Sequence, residues 1–508
     1  MKRREFLGGT SGVGLALAMP SFAVLRASEL PADITDMSAS TLSVAIRQRA
    51  VSCREVMAAY LARIDRYNPV YNAIVSRVDD EVLLRQANEA DRELDTGRHR
   101  GWMHGMPHAV KDLADVAGLP TSHGSPIFAG TIAREDDMAI ARIRAAGPIF
   151  IGKTNTPEFG YGSQSYNPVF GATGCAYDPG LTAGGSSGGA ACGLATHMLP
   201  VADGSDMMGS LRNPAAFNNV IGFRPTQGRL PHVSGDVFYD QLSTGGPMGR
   251  NAEDTLRLLC TMAGRHPLGP LALRDPLPPP AEFAPLDPER IKIGWLGDYG
   301  GYLETEPGIL DLCEAALETL AANGAVVEPC EPEFELSRLW ETWLTLRHWS
   351  ANWLEPLYAD PARRAQLKPE VIFEYEGSLG LTARQVYAAG EKRADWFRAL
   401  CALFERYDFL ALPTAQVFPF PKDLHWPPRI NDRDMDTYHR WMEVVIGGTL
   451  AGIPVVNVPV GFDARGRPMG MQLMGPFGGD LRVLELALAY EQVADYRERR
   501  PVLRERST

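Results

Sequence analysis

The chain has 508 residues, 45% of them hydrophobic and 22% charged, which supplies several layers of core and is too balanced for a disordered or fibrous protein. Its 62 acidic residues outnumber 50 basic ones, for a formal charge of −12, a balance that argues against the basic surface of a nucleic-acid binder. Seven cysteines, none at CxxC spacing, exclude a disulfide scaffold and a zinc ribbon.

The first segment reads as an address. Lys2-Arg3-Arg4 precedes Phe6-Leu7, a short, weakly apolar run from Gly8 to Ala18, and then Pro20-Ser21-Phe22-Ala23. A basic start, a short apolar stretch and small residues at a cleavage site make an export signal, and the paired arginines give it a twin-arginine character. An ordinary secretory signal is the plainer alternative, and the run is too short to span a bilayer. Residues 1–27 are expected to be removed, by cleavage after about residue 23 or 27, leaving 28–508 as a periplasmic or secreted protein.

Ser52-Cys53-Arg54-Glu55 is a capping box ahead of Val56, Met57, Tyr60, Leu61 and Ile64, which predicts a helix to about residue 67. A second helical pattern runs from Asp80 to Leu94 and ends near Gly97. From Pro107 to Pro231 short apolar runs are broken by Gly, Ser, Thr and Pro; Gly147 closes a helical stretch there, and residues 148–151 read as a strand. Eight prolines between His266 and Pro288 mark a surface loop. Strands are expected at 291–294, 326–327, 407–412 and 452–460, with a helix at 307–323 stopped by Gly324. This alternation gives an α/β chain.

Three motifs fail on context. Gly147-Pro148-Ile149-Phe150-Ile151-Gly152-Lys153-Thr154 has the letters of a phosphate-cradling loop, but its variable positions are an apolar strand and Pro148 has no N–H to donate. His104 and His108 have the spacing of a zinc helix, yet Gly105 and Pro107 would break that helix. The glycine–serine run at 184–189 contains a G-x-S-x-G pattern, but a loop precedes it where a nucleophile elbow needs a buried strand. No metal and no cofactor are expected.

A different set of residues survives. Lys111 follows the apolar approach His108-Ala109-Val110, Ser186 lies in the double-glycine run, and Ser210 follows Gly209. No histidine occupies either serine-rich segment, so if a serine is the nucleophile here the candidate base is lysine. Burial can keep such a lysine neutral, and glycines let substrate approach backbone N–H groups that stabilise an oxyanion. Taken singly, each element has an ordinary counterpart, a surface turn or a flexible loop.

Together these segments resemble the amidase signature family. The resemblance rests on Gly184-Gly185-Ser186-Ser187-Gly188-Gly189, on Gly204-Ser205-Asp206-Met207-Met208-Gly209-Ser210-Leu211-Arg212 and on Gly222-Phe223-Arg224-Pro225-Thr226. Flanking matches include Val110-Lys111-Asp112 and Gly470-Met471-Gln472-Leu473-Met474-Gly475. It covers roughly residues 35–495 and is thinnest near 265–440, a variable, substrate-shaping stretch. The family implies a single large α/β/α domain with a central mixed β-sheet covered by helices. It implies an amidase with a Ser–Ser–Lys triad: Ser210 as nucleophile, Ser186 as proton relay held through a cis peptide, and Lys111 as base. The N–H groups of Met207, Met208, Gly209 and Ser210 would form the oxyanion hole, with Asp206 and Arg212 supporting them.

Two departures stand out. Met208 replaces one of two glycines usual before the nucleophile, which bears on acyl-group size, and Arg224 stands where lysine is common. Trp340, Trp343, Trp349 and Trp353 crowd the variable stretch, either as a core helix face or as an aromatic wall. The expected partner is a small amide, apolar or aryl; nucleic acid and stable membrane association after export are not expected, and a homodimer is open to the chain. The competing function is a catalytically silent binding protein on this scaffold, against which the intact triad positions argue.

Overall fold

The computed structural model describes residues 31–231, 236–239 and 241–506; the export signal expected over 1–27 lies outside the described residues. An eight-stranded sheet forms the centre, in the order Val326–Pro329, Lys292–Trp295, Phe409–Pro413, Pro468–Met474, Val455–Phe462, Ile221–Arg224, Thr244–Gly249 and Ala202–Asp206. The first three strands are parallel and every later pairing is antiparallel. The sheet is therefore mixed.

Both faces are covered, and strand alternation explains how. Phe409 and Ala411 enter one apolar core, while Leu410 and Leu412 enter the other, because successive side chains point to opposite faces. Helices Cys53–Tyr71, Gly188–Ala195, Ala252–Met262 and Asp480–Val493 close the first core. Helices Ser337–Ser350, Ala383–Phe404 and Ile446–Ala451 close the second. The result is one α/β/α domain, and each fully buried large apolar side chain contributes roughly 1.5–3 kcal/mol to holding it.

A smaller sheet abuts the Ala202–Asp206 edge. Pro107–Lys111 runs parallel to Ile149–Thr154, which pairs antiparallel with Ile74–Val75. Asp203 joins the two sheets: its carboxylate accepts the Lys111 N–H at 3.3 Å and lies 3.0 Å from His108 Nε2. This junction sets the end of Pro107–Lys111 beside the edge strand that leads to Ser210.

The expected elements appear with shifted ends. The Ser52 capping box is made on both sides, and its helix continues past 67 to Tyr71. The strand expected at 148–151 extends to Thr154, so Gly152 and Lys153 pair with Ala109 and Val110 instead of wrapping a phosphate. The Lys153 ammonium is buried, donating to Thr121 Oγ1 at 3.1 Å and to the Ala114 carbonyl. His104 is tied to the backbone at Ala90 and Arg100, while His108 belongs to a strand, so the two imidazoles serve different contacts. Among the described residues no helix is long and apolar enough to cross a membrane.

Candidate active site

Three segments meet where the two sheets join. They are the last residue of strand Pro107–Lys111, the run ahead of helix Gly188–Ala195, and the turn between strand Ala202–Asp206 and helix Arg212–Asn218. The glycine–serine run is not a flexible loop. It is buried, and a Cβ added at Gly189 would sit 2.3 Å from the Asn155 backbone nitrogen. Glycine is thus required for the helix to approach the strand behind it. The Gly185–Ser186 peptide is cis.

Lys111 is 1% exposed. Its Nζ lies in hydrogen-bond contact with Ser186 Oγ at 2.7 Å, Ser187 Oγ at 2.8 Å and Ser205 Oγ at 3.1 Å. Among the described residues no carboxylate lies within ion-pair distance of it. Burial therefore pushes its pKa down to about 7, against the smaller opposing pull of Asp206 and Asp203. A lysine ringed by hydroxyls and held off from carboxylates can be a neutral amine at physiological pH, with a lone pair free to accept a proton.

The turn before Ser210 is built on Asp206. Its carboxylate accepts the N–H groups of Gly209 at 2.9 Å and Leu211 at 3.1 Å. Arg212 adds a fork, Nε at 3.0 Å and Nη2 at 2.9 Å, and Arg224 donates to the Asp206 carbonyl. Burial would raise the Asp206 pKa, but the two guanidiniums and the backbone donors hold it well below the ordinary range. Arg212 is anchored in turn by the Val445 carbonyl, Gln472 and Thr449.

The left-handed conformation in this turn falls on Gly209, at φ 78°, and not on Met208. A Cβ at 209 would also crowd Asn213 Nδ2 at 2.8 Å and Val445 Cγ2 at 2.9 Å. Position 208 therefore tolerates a side chain, and Met208 packs in the core that holds Phe217 and Trp441 while lining the cavity in front of Ser210. Of the four N–H groups implied for an oxyanion hole, that of Gly209 is taken by Asp206. Those of Met207, Met208 and Ser210 have no acceptor among the described residues.

Ser186 and Ser210 line one cavity of about 120 Å³. Ser210 Oγ makes no hydrogen bond among the described residues, so the hydrogen-bonded chain is complete from Lys111 to Ser186 and open from there to Ser210. A larger cavity, about 590 Å³ beside Leu271, Arg393 and Phe477, carries none of these groups.

The variable stretch supplies the facing wall. Trp340 and Trp343 are core residues, as a buried helix face requires, whereas Trp353 is 51% exposed and lines the cavity. Trp353 meets Phe159 edge-on at 5.3 Å. Ser187, Ser205, Tyr161 and Arg347 also belong to the site and were missed in the sequence. Ser187 and Ser205 adjoin signature residues, which was their only local signal. Arg347 lies four residues after Trp343, one helical turn on.

The fold and this lysine–serine cluster at a sheet junction define a large α/β/α hydrolase. A family model described as Amidase matches residues 55–484. The chain is 30% identical over 474 residues to an acylamidase of Rhodococcus erythropolis, covering 92% of this chain and 97% of that one. It is also 30% identical over 480 residues to one component of the glutamyl-tRNA(Gln) amidotransferase of Thermosynechococcus vestitus, covering 89% and 97%. A bacterial aryl acylamidase crystal structure superposes with a TM-score of 0.85 at 25% identity, covering 91% of this chain and 98% of that chain. The chain belongs to the amidase signature family. It is an amidase, a hydrolase of amide C–N bonds, and the alternative of a silent binding protein is not favoured.

Proposed function

We propose that the amide is cleaved through a Ser210 acyl-enzyme. Ser210 Oγ attacks the carbonyl carbon; its proton passes to Ser186 Oγ, whose own proton passes to the neutral Lys111 amine. The relay closes when the Ser210 hydroxyl turns towards Ser186. The negative oxygen of the tetrahedral intermediate is met by the N–H groups of Met207, Met208 and Ser210. Each such donor is typically worth roughly 100- to 1000-fold in rate. The C–N bond then breaks, and the amine nitrogen leaves with the proton returned from Lys111 through Ser186. Water attacks the acyl-enzyme by the same relay and releases the acid.

The observation that carries this reading is the 2.7 Å contact of Lys111 Nζ with Ser186 Oγ, inside a buried site without a carboxylate counter-ion and on the wall shared with Ser210. The test is intact-mass spectrometry of the protein with a fluorophosphonate probe. A single adduct mapped to Ser210 is expected; labelling elsewhere, or full turnover in Ser210→Ala, would overturn the assignment.

The substrate class we propose is a compact aryl or apolar acylamide. Support comes from the exposed Trp353 against Phe159 at the rim, and from relatives that are an acylamidase and an aryl acylamidase. We also propose export by a twin-arginine signal, on Arg3-Arg4 and the segment that follows. Fractionation with N-terminal sequencing tests it: a mature chain starting near residue 24 or 28 in the periplasm is expected, and an intact Met1 in the cytoplasm would refute it.

A further inference from the structure

A buried cation faces the reaction cavity without a role in the steps above. Arg347 is 4% exposed and lines the same cavity as Ser210. Its Nε donates to Glu374 Oε1 at 2.9 Å and its Nη2 to the Tyr438 hydroxyl at 3.2 Å. The contact of Nη1 is Met207 Sδ, at 2.7 Å. A thioether is a weak acceptor, and Met207 itself is flexible and half-buried, so this donor lacks an oxygen partner. The guanidinium is held against the Tyr161 ring, 4.7 Å from its centroid, which fixes the direction in which Nη1 points. An oxygen delivered by the substrate would complete its set.

Charge balance limits what that oxygen can be. Arg347 is already neutralised by Glu374, whose carboxylate burial would protonate but which Arg347 above all, with a hydrogen bond from His348, holds well below its ordinary range. Of the two imidazoles facing Glu374, His439 is fully buried and held down to about 3, so it adds no charge; His348 sits 3.1 Å from Glu374 Oε2, already engaged with it. A second carboxylate entering here would be a buried anion without a countercharge of its own. An uncharged oxygen gains a charge-assisted hydrogen bond and leaves the balance intact.

We infer that Arg347 is a recognition residue for a second, uncharged acceptor oxygen on the amide substrate, a ketone, ester or ether oxygen near the scissile carbonyl. This rests on the proposal that Ser210 is the nucleophile in this cavity. Most of the selectivity is expected in KM, since the contact exists in the bound substrate before bond breaking.

The test compares near-isosteric substrates on the mature enzyme. Butyranilide and acetoacetanilide differ by one acyl-side carbonyl; N-butylacetamide and N-(2-methoxyethyl)acetamide differ by one amine-side oxygen; malonanilate carries a carboxylate instead. In the wild type the oxygen-bearing member of at least one pair is expected to be favoured about 10- to 100-fold in kcat/KM, the usual worth of a hydrogen bond to a charged group. Malonanilate is expected to lag acetoacetanilide by at least about tenfold, for want of a countercharge. In Arg347→Met the preference should fall to near unity. Because that variant strands Glu374, the pair Arg347→Met/Glu374→Gln is tested beside it, with fluorophosphonate labelling of Ser210 as the check on folding. Equal preference in wild type and in the labelled variants overturns the inference, as does a best rate on malonanilate. A proportional loss on all substrates with the ratio preserved also overturns it, as the mark of a purely structural arginine. Failure of the wild type to be labelled at Ser210 would instead sink the proposed mechanism, so the two failures are distinguishable.

Discussion

The two walls of the cavity are built on opposite plans. On the signature side Lys111 Nζ, both carboxylate oxygens of Asp206 and every guanidinium nitrogen of Arg212 have partners, and small residues let backbones touch. Behind the aromatic side the indole nitrogens of Trp340 and Trp343 and both nitrogens of His439 are buried without one among the described residues, against Arg224 Nε and Asn213 Oδ1 on the signature side. A fully partnered polar network has a single geometry, which suits atoms that must stay aligned through a reaction. A wall of large rings with spare donors, tied by hydrogen bonds mainly at Arg347, Glu374 and Tyr438, is held largely by shape and leaves more room for remodelling. The family resemblance is strongest along the first wall and thinnest along the second.

The sharpest way to break this contrast is at the first wall. Ser210→Ala and Lys111→Met should each lower kcat/KM by roughly 10⁴-fold or more, the scale of losing a nucleophile or its base, with the fold retained by circular dichroism. The wild-type pH profile has a definite sign. Below about 7 Lys111 is protonated and cannot accept a proton, so kcat/KM should fall about tenfold per pH unit there and level off above. A flat profile from pH 5 to 8 would exclude Lys111 as base. Stability is linked to the same group. Between about 7 and the ordinary lysine value near 10.5 the unfolded chain binds a proton that the folded chain does not, so this lysine's contribution to stability rises with pH across that window.

Asp206 tests whether the turn and the fold share one support. In Asp206→Ala, Arg212 and Arg224 keep neutral hydrogen-bond partners but become buried charges without a counter-charge, which typically costs about 3–5 kcal/mol. Denaturant unfolding should register that loss, and the freed Gly209 N–H should cut kcat together with it. An Asp206→Ala protein of wild-type stability would mean that Gln472, Thr449 and the Val445 carbonyl hold Arg212 by themselves.

How far the sequence carries also follows the division between walls. Ser186, Ser210 and Lys111 were singled out through the family resemblance together with their local setting, glycines that permit close backbone approach and an apolar strand that buries a lysine, and the structure sets Lys111 on Ser186 and lines one cavity with Ser186 and Ser210. The phosphate-loop look-alike was readable as a strand for the same reason, through Pro148 and its apolar neighbours, although its end moved because Lys153 is polar yet buried. The Arg347–Glu374 pair was not legible, since its partners lie on separate helices, Ser337–Ser350 and Pro369–Ser378. Nor could the tryptophans be sorted. Helix Ser337–Ser350 gives way to a 3₁₀ turn at Ala351–Leu354, and this change of path carries Trp353 to the cavity rim while Trp343 stays in the core. The role of Gly209 needed the backbone angle, because neither composition nor spacing says which residue of the turn is left-handed.

Met208 lies where the walls meet and should shift selectivity more than rate. Met208→Ala removes a side chain that lines the cavity and packs with Phe217 and Trp441. The 120 Å³ space should then admit acyl groups one or two methylenes longer, with kcat/KM ratios moving by roughly 10- to 200-fold, the usual leverage of a methylene in an apolar pocket. A series of acetanilide, butyranilide and hexananilide checks this, and an unchanged chain-length preference would mean that another residue sets acyl size.

The smallest effect is expected at Trp353, and it bears most directly on the second wall. Its ring is half in solvent and meets Phe159 edge-on, so it can stack on a substrate ring without hydrogen-bonding to any member of the proton relay. An aromatic contact of this kind is worth about 0.5–1.5 kcal/mol beyond buried area. Trp353→Ala should therefore raise KM for anilides by roughly 2- to 12-fold, leave kcat unchanged, and leave KM for small aliphatic amides near the wild-type value. Trp353→Phe should restore most of the loss. If anilides and aliphatic amides lose equally, or if kcat falls while KM holds, the rim does not read the aryl group and Trp353 acts by positioning Phe159.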